Sequence, residues 1–168
     1  MEEKKNKISD EFTYITLSCG KVVKVIKGGR RMRFLALVVA GNKKGIVGFG
    51  TGKDEEAQGA VDKAKRAAIK NIIKIPIIKG TISHEVYGEY NSSKIAFFPA
   101  NSGTGVKVGG SARVICELAG IENIMSKYFR RNSKHNGLMA AFNALEKLRS
   151  PISIAKDRGV TLEKVFNG

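Results

Sequence analysis

The segment KVVKVIKGGRRMRFLALVVA, residues 21–40, decides how the first half of the chain folds. Val and Ile dominate its first part, the pair Gly28-Gly29 interrupts it, and an apolar run follows from 34 to 40. β-Branched residues on both sides of a glycine pair are typical of strands joined by a turn. The segment therefore predicts two antiparallel strands, the second at 33–40, with cations around the turn between them.

The residues on either side extend this sheet. Residues 14–17 are also rich in β-branched side chains, and we assign them to the first strand together with 22–26. A glycine-bounded loop at 41–45 leads into a third strand at 46–50. The predicted unit is an antiparallel three-stranded sheet with glycine-rich corners.

A helix is predicted directly after the third strand. Asp54 can cap it, and Glu55 and Glu56 fall in its first turn, where carboxylates suit the helix dipole. One face is apolar at helical spacing, which predicts that it covers the sheet. Its members are Ala57, Ala60, Val61, Ala64, Ala68 and Ile72.

The second half predicts a separate α+β unit of the form ββαβα. We place the boundary in a linker at 74–79, which contains Pro76. The elements that follow are strands at 80–90 and 94–98, a helix at 110–119, a strand at 124–130 and a helix at about 136–148. Gly120 and Pro151 are placed to end the two helices.

The predicted organisation therefore has two domains and two tails. The N-terminal domain spans 11–75 and the C-terminal domain spans 76–150. Residues 1–10 are polar and charged, which indicates a flexible tail. Residues 151–168 form a C-terminal tail with one or two short helices.

Charge gives the first indication of function. Lys and Arg number 30 against 15 acidic residues, a formal net charge of +15, and such a chain attracts polyanions. No acidic residue occurs from Phe12 to Lys53, whereas nine basic ones do. Because neutralised phosphates release counterions, this block favours binding to nucleic acid.

Other classes of partner and cofactor are disfavoured. The apolar run at 34–40 is far too short to cross a bilayer, and the first residues contain no secretory signal, so we expect a cytoplasmic protein without a membrane partner. Cys19 and Cys116 lie in no C-x-x-C motif and are predicted to be buried, reduced thiols. His84 and His135 are too few for a metal centre, so no metal or other cofactor is expected.

The loop Lys27-Gly28-Gly29-Arg30-Arg31 is the first candidate site. Glycine lets the backbone approach a phosphate closely, and arginine adds bidentate hydrogen bonds to it. The alternative is a turn that is basic without a partner. Within so long an acid-free block, we favour contact with RNA.

Two glycine-rich segments raise the question of phosphate-transfer chemistry. Residues 48–53, GFGTGK, lack the first glycine and the Ser or Thr of a P-loop, so we interpret them as a glycine-rich strand end. The loop at 99–110 precedes a helix and is of a general kind that small-metabolite kinases use. No carboxylate occurs from Tyr90 to Cys116 to hold magnesium, so its glycines more plausibly allow close packing between the loop, the helix and a neighbour.

A fourth segment, KYFRRNSKHN at 127–136, mixes cations, aromatic rings and amides. Stacking combined with phosphate contact would suit RNA. A solvated loop after an edge strand is an equally good interpretation. The two remain open from the sequence.

Together these segments resemble the bacterial small-subunit ribosomal protein five family, from about residue 11 to residue 165. The resemblance is carried by VIKGGR at 25–30, VGFGTGK at 47–53, and PANSGTG at 99–105. It continues through the glycine pair at 109–110 to Arg113, Glu117 and Gly120. Each motif is weak alone, and their order and spacing make the match specific.

The resemblance implies a double-stranded-RNA-binding-like N-terminal domain and a C-terminal domain with a left-handed βαβ crossover. It implies a ribosome-bound protein that contacts 16S rRNA and the neighbouring ribosomal proteins four and eight. The loop matching Lys27 to Arg30 would reach rRNA near the spectinomycin site. Positions matching Gly105 and Arg113 would lie toward protein four and influence decoding accuracy.

One segment departs from the family pattern. The family usually has Gly-Ser, one further residue and then Asn-Pro before its last helix. This chain has FRRNSKHN at 129–136, which lacks the proline and adds three cations. Family contacts of that loop are therefore not carried over.

The sequence thus predicts a structural component of the small ribosomal subunit, with no enzymatic activity and no small-molecule substrate. The predicted rRNA-binding residues are Lys21, Lys24, Lys27, Gly28, Gly29, Arg30, Arg31, Arg33, Lys53, Lys127, Arg130 and Arg131. The predicted protein-interface residues are Gly103, Gly105 and Arg113. A free-standing regulator that binds double-stranded RNA is the second hypothesis, and a kinase is the third.

Overall fold

The structure, a computed structural model, describes residues 12–130 and 133–167 of the 168-residue chain. The predicted tail at 1–10 and the candidate Arg131 lie outside the described residues. The strands are β1 (Thr13–Ile26), β2 (Gly29–Gly41), β3 (Ile46–Asp54), β4 (Ile72–Lys74), β5 (Ile77–Ile78), β6 (Thr81–Ile82), β7 (Val86–Tyr90), β8 (Ser93–Pro99), β9 (Val106–Lys107) and β10 (Ile124–Arg130). The helices are α1 (Ala57–Lys70), α2 (Ser111–Ala119), α3 (Lys134–Glu146), α4 (Pro151–Arg158) and α5 (Leu162–Asn167).

The N-terminal sheet has the order β1-β2-β3-β4 and is antiparallel throughout. The antiparallel sheet and its helix are confirmed, but the prediction of three strands was short by one. Residues 72–74 pair with β3 as a fourth strand, so Lys74 belongs to the sheet and Ile72 does not belong to the helix. The isolated apolar pair Ile72-Ile73 was too short for its strand pairing to be read from the sequence.

The start of α1 differs from the prediction. Asp54 is the last residue of β3, and its carboxylate accepts hydrogen bonds from Lys63 Nζ and the Glu55 amide, each at 2.8 Å. Glu56 occupies the capping position without a side-chain hydrogen bond, and no acidic residue lies in the first turn. The Asp54 carboxylate is therefore held by Lys63, in the second turn of α1, and by the Glu55 amide, and not by the amides of the first helical turn.

Alternate glycines of β3 explain the 48–53 segment. A Cβ on Gly48, Gly50 or Gly52 would lie 2.3, 2.2 or 2.1 Å from a carbonyl oxygen of α1. Those oxygens belong to Ala68, Ala64 and Ala60, the buried residues of the helix. The glycines therefore let helix and strand approach closely, as the strand-end interpretation requires.

The C-terminal sheet has the order β7-β8-β10-β9, and β9 runs parallel to β10 across α2. The strand at 124–130 is confirmed, whereas the strand predicted at 80–90 divides into β6 and β7. Gly120 ends α2 with a left-handed φ of 84°, as predicted. Pro151 does not end α3, which stops at Glu146; the proline opens α4, where its missing amide costs nothing.

Two short helices, α4 and α5, follow in the C-terminal segment, as predicted. Both cysteines are free. Cys116 is buried, and burial raises the pKa of its thiol to about 12, so it stays protonated at neutral pH. Cys19 is exposed, which contradicts the prediction that it is buried. It lies on the edge strand β1, of which only part of the surface is covered.

The second part of β2, residues 36–41, is buried on both faces and joins the two halves of the chain. Ala36 and Val38 face α1, while Leu37 and Val39 belong to a larger core that includes residues of both sheets and of α2 and α3. Phe49 of β3 meets Phe142 of α3 edge to face, with ring centroids 4.6 Å apart. The N-terminal sheet and the C-terminal helices thus share one apolar core.

Candidate nucleic-acid interface

The hairpin of β1 and β2 extends beyond the rest of the N-terminal sheet. The last pair between β2 and β3 is Phe34 with Asp54, so residues 22–33 pair only with one another. We call residues 22–33 the ribbon. Because no third strand or helix of the described residues covers it, both of its faces are open to a partner.

One face of the ribbon is basic. By register, Lys24 lies directly opposite Arg31 and Val22 opposite Arg33. These residues, with Ile26 and Lys53, line a shallow groove of about 200 Å³, which we call the basic groove. Like charges directly opposite each other destabilise a sheet, so this arrangement costs stability unless an anion offsets it.

A single carboxylate partly neutralises the basic groove. Glu55 accepts a hydrogen bond from Arg31 at 2.5 Å and lies 3.7 Å from an Arg33 nitrogen. The hydrogen bond from Arg31 lowers the pKa of Glu55 below its usual value, with a further contribution from the charge of Arg33. One carboxylate against four cations leaves the groove positive. The exposed pairs are weak enough for a phosphate to displace them.

The other face of the ribbon is largely apolar, although Arg30 lies on it opposite Val25, and sequence reasoning missed this face. Val23, Val25 and Met32 are 53%, 73% and 57% exposed. Lys21 lies on this side, with its Nζ 5.8 Å from the centroid of the Phe34 ring, and so does not join the basic groove. The alternation of Val23 and Val25 with Lys24 could have predicted an apolar face. The interpretation of the block by its charge alone left that pattern unused.

The tip of the ribbon is the turn at Lys27 and Gly28. A Cβ on Gly28 or Gly29 would have no atom within 4 Å, and Gly29 has a φ of 142°. No packing against the described residues therefore requires glycine at position 28. The open surface there, with Lys27 and Arg30 beside it, would allow the close backbone approach expected for a phosphate contact.

The candidates from the second half form a separate surface. Lys127 and Arg130 lie on β10, with exposed Phe129 between them, and contribute nothing to the basic groove. The twelve predicted rRNA-binding residues therefore do not form one site. The structure brings together Lys24, Arg31, Arg33 and Lys53, and it places Lys27, Gly28, Gly29 and Arg30 at the tip beside them.

The predicted protein-interface residues lie around α2. Gly103 and Gly105 have φ values of 88° and 72°, and a Cβ on either would meet no atom within 4 Å. Among the described residues, nothing packs against these two positions, and their left-handed backbone favours glycine; close packing against a neighbour stays a prediction. Arg113 projects from α2 into solvent, where its Nε donates to Glu117 Oε1 at 2.7 Å.

Two further kinds of site are absent from the described residues. No group of three or more His, Cys, Asp or Glu side chains there could hold a metal ion. Within the same residues, no helix combines the length and apolar character needed to cross a membrane. The charged ribbon is thus the most distinctive surface of the described part of the chain.

Comparison with known proteins identifies the family. The model described as "Ribosomal protein S5, N-terminal domain" matches residues 12–76, and that described as "Ribosomal protein S5, C-terminal domain" matches residues 88–158. The chain is 40% identical over 152 residues to small ribosomal subunit protein uS5 of Porphyromonas gingivalis, covering 90% of this chain and 88% of the relative.

Two other relatives of the same name agree. The protein of Salinibacter ruber is 42% identical over 152 residues, covering 90% of this chain and 87% of the relative. That of Hydrogenobaculum sp. is 46% identical over 153 residues, covering 91% and 81%. Both family domains and nearly the whole chain are matched, so the chain belongs to the ribosomal protein S5 family, whose members are structural proteins of the ribosome and not enzymes.

Proposed function

We propose that this chain is a structural constituent of the small ribosomal subunit that binds 16S rRNA through the ribbon. The observation that carries the proposal is the basic groove, where Lys24 and Arg31 face each other on a hairpin that nothing else in the described chain covers. Phosphates would neutralise these cations and release counterions. The cytoplasmic, ribosome-bound location follows from this role.

The mechanism is positional. The groove cations and the open tip at Gly28 anchor the chain on the RNA backbone, since arginine fits a phosphate with two hydrogen bonds. Lys21, Lys127 and Arg130 lie on other faces and would contact further rRNA segments. The shared core of the two halves holds these surfaces at fixed separations.

The C-terminal half would bridge this RNA contact to neighbouring proteins. We infer that Gly103, Gly105 and Arg113 lie toward ribosomal protein four, and that protein eight is a second neighbour. An exposed guanidinium is suited to bidentate pairing across such an interface. Through this contact the chain would support translational accuracy.

A free-standing regulator that binds double-stranded RNA is the second candidate. The observation in its favour is the sheet backed by α1, because that arrangement resembles a double-stranded-RNA-binding domain. It leaves the matched C-terminal domain without a role. The two candidates differ in their target: an assembled particle or an isolated duplex.

Sedimentation separates the two candidates. A tagged copy of the chain, expressed in its own cells, is followed through a sucrose gradient at high and at low magnesium. We expect it to sediment with whole ribosomes at high magnesium and with small subunits at low magnesium. A chain that stays at the top of both gradients, while the purified protein binds isolated RNA duplexes, would establish the regulator instead.

A further inference from the structure

The end of the sheet opposite the ribbon is cross-linked by backbone hydrogen bonds. We call residues 42–45, 74–80 and 118–123 the junction, because they join the β2–β3 loop, the connector between the two halves and the end of α2. The bonds run from Lys43 N to Leu118 O (2.9 Å), Gly45 N to Ala119 O (2.8 Å), Ile75 N to Gly45 O (2.7 Å), Glu122 N to Gly80 O (2.9 Å) and Asn123 N to Gly80 O (3.0 Å). The junction backbone is therefore rigid.

The junction also holds the shape of the loop that carries two lysines. Asn42 Oδ1 accepts hydrogen bonds from the amides of Lys44 and Ile46, at 2.8 and 3.1 Å. Lys43 has a φ of 56°, a left-handed conformation that lysine rarely adopts. Such a conformation persists where surrounding contacts determine it, and such positions are concentrated at functional sites.

Three cations converge on an open cleft at the junction. Lys43, Lys44 and Lys74 are exposed and line a cavity of about 490 Å³, whose one acidic lining residue is Glu122. Among the described residues, no carboxylate lies within 4.0 Å of any of the three ammonium groups, whereas Lys63 and Lys94 have ion-pair partners at 2.8 and 2.7 Å. The cleft is thus a rigid surface on which three cations face one carboxylate, so it keeps an excess of positive charge.

We propose that this cleft is a second rRNA-phosphate site, bound by Lys43, Lys44 and Lys74. The inference rests on the proposed function and adds a separate site to it. RNA is favoured over a protein partner because none of the large exposed apolar side chains of the described residues lies at the junction. Protein interfaces are anchored by such side chains, whereas contacts with a nucleic-acid backbone are mainly ionic.

The two sites lie at opposite ends of β2. This strand runs 13 residues from Gly29, beside the ribbon tip, to Gly41, beside the junction. At the usual rise of a strand it spans roughly 40 Å. The chain would therefore hold two separate rRNA segments at a fixed distance from each other.

A purely local role for the lysines is the competing explanation. Lys43 and Lys44 lie beside the carboxyl end of α2, whose partial negative charge attracts cations. In that case the lysines would stabilise the helix and touch no RNA. The two explanations differ in whether replacement changes rRNA accessibility or only thermal stability.

The test is hydroxyl-radical cleavage of 16S rRNA in small subunits that contain the variant Lys43→Gln/Lys44→Gln/Lys74→Gln. The control, Lys156→Gln/Arg158→Gln/Lys164→Gln, removes three exposed cations from α4 and α5. We expect the junction variant to expose one rRNA segment, distinct from any exposed by Lys24→Gln/Arg31→Gln/Arg33→Gln in the ribbon. The melting temperature of the purified chain should change little.

A second measurement covers the case in which the junction variant fails to assemble. The purified variant is titrated with 16S rRNA at several salt concentrations. The slope of log binding constant against log salt concentration should become less steep by about two to three units relative to the wild type. Unchanged cleavage, or an unchanged slope, would overturn the junction site. A wild-type chain that neither sediments with small subunits nor binds rRNA would instead refute the proposed function itself.

Discussion

The ribbon and the junction are the two ends of one strand, and both are basic, yet their backbones are supported in opposite ways. A Cβ on Gly28, at the ribbon tip, would meet no atom within 4 Å. A Cβ on Gly120, at the junction, would lie 2.2 Å from the carbonyl oxygen of Lys43, and its φ is 84°. Packing within the chain thus requires glycine at position 120, in the junction. At position 28, in the ribbon tip, glycine leaves open space that a partner could approach.

The largest expected effect tests this difference in stability. Gly120→Ala forces a Cβ against the Lys43 carbonyl in a left-handed backbone, so we expect a loss of about 3–5 kcal/mol in the free energy of unfolding. Gly28→Ala, the matched control, should change it by less than about 0.5 kcal/mol. Chemical denaturation of the purified chains measures both values. Equal losses would show that the two ends do not differ as described.

The second prediction concerns function at the ribbon tip. Gly28→Asp places a carboxylate where the backbone is expected to meet a phosphate, so affinity for 16S rRNA should fall roughly tenfold or more. The fold should stay intact because the position is open. We also expect an altered response of cells to spectinomycin. If the variant fails to fold, or binds rRNA as the wild type does, Gly28 has no role in RNA contact.

The third prediction concerns the carboxylate in the basic groove. Glu55→Gln frees Arg31 and Arg33 from their ion pairs, so affinity for rRNA should rise about twofold to threefold at low salt. The control is Glu89→Gln, which breaks the 2.7 Å ion pair between Glu89 and Lys94 on the C-terminal sheet. This variant should leave the affinity for rRNA unchanged. A decrease with Glu55→Gln would show that the carboxylate positions the arginines for RNA.

The same group predicts a pH dependence. Because Arg31 lowers the folded-state pKa of Glu55, the pair stabilises the folded chain above the unfolded-state pKa. That stabilisation disappears as the pH falls through the lowered pKa. Replacing Glu55 by Gln should therefore flatten the stability profile slightly in this acidic range. Parallel profiles of wild type and variant there would contradict the assignment.

The smallest expected effect on stability concerns Arg113. Its exposed pair with Glu117 contributes only about 0.3–0.5 kcal/mol, so Arg113→Leu should barely change the melting temperature. If the guanidinium also contacts ribosomal protein four, stop-codon readthrough should rise. Glu117→Gln breaks the same pair but keeps the cation, and it should leave readthrough normal. Normal readthrough in ribosomes that contain Arg113→Leu would restrict Arg113 to the local pair.

The strands and helices could largely be predicted from the sequence, because periodicity and glycine placement are local signals. The strand at 124–130 and the end of α2 at Gly120 are confirmed. The predicted start of α1 was wrong because the Asp54 carboxylate had two possible partners, the helix amides and Lys63. Only the fold brings the Lys63 ammonium group to 2.8 Å from it. Capping residues predict a helix start only when no nearby cation competes.

The contacts between the two halves could not be predicted. An uninterrupted apolar run at 34–40 is typical of a strand covered on both faces, but it does not say what covers the second face. In the structure α1 covers one face and the C-terminal core the other. The junction lysines went unassigned because residues 43 and 74 become neighbours only when β4 pairs with β3, a pairing that the sequence did not show.

The most direct test of the central claim is the salt dependence of 16S rRNA binding by the purified chain. The account predicts a wild-type log–log slope of several units. It predicts that Lys24→Gln/Arg31→Gln/Arg33→Gln lowers this slope by about two to three units, while Lys156→Gln/Arg158→Gln/Lys164→Gln changes it less. A wild-type slope near zero, or the same slope for wild type and ribbon variant, would contradict the claim that the ribbon binds rRNA phosphates.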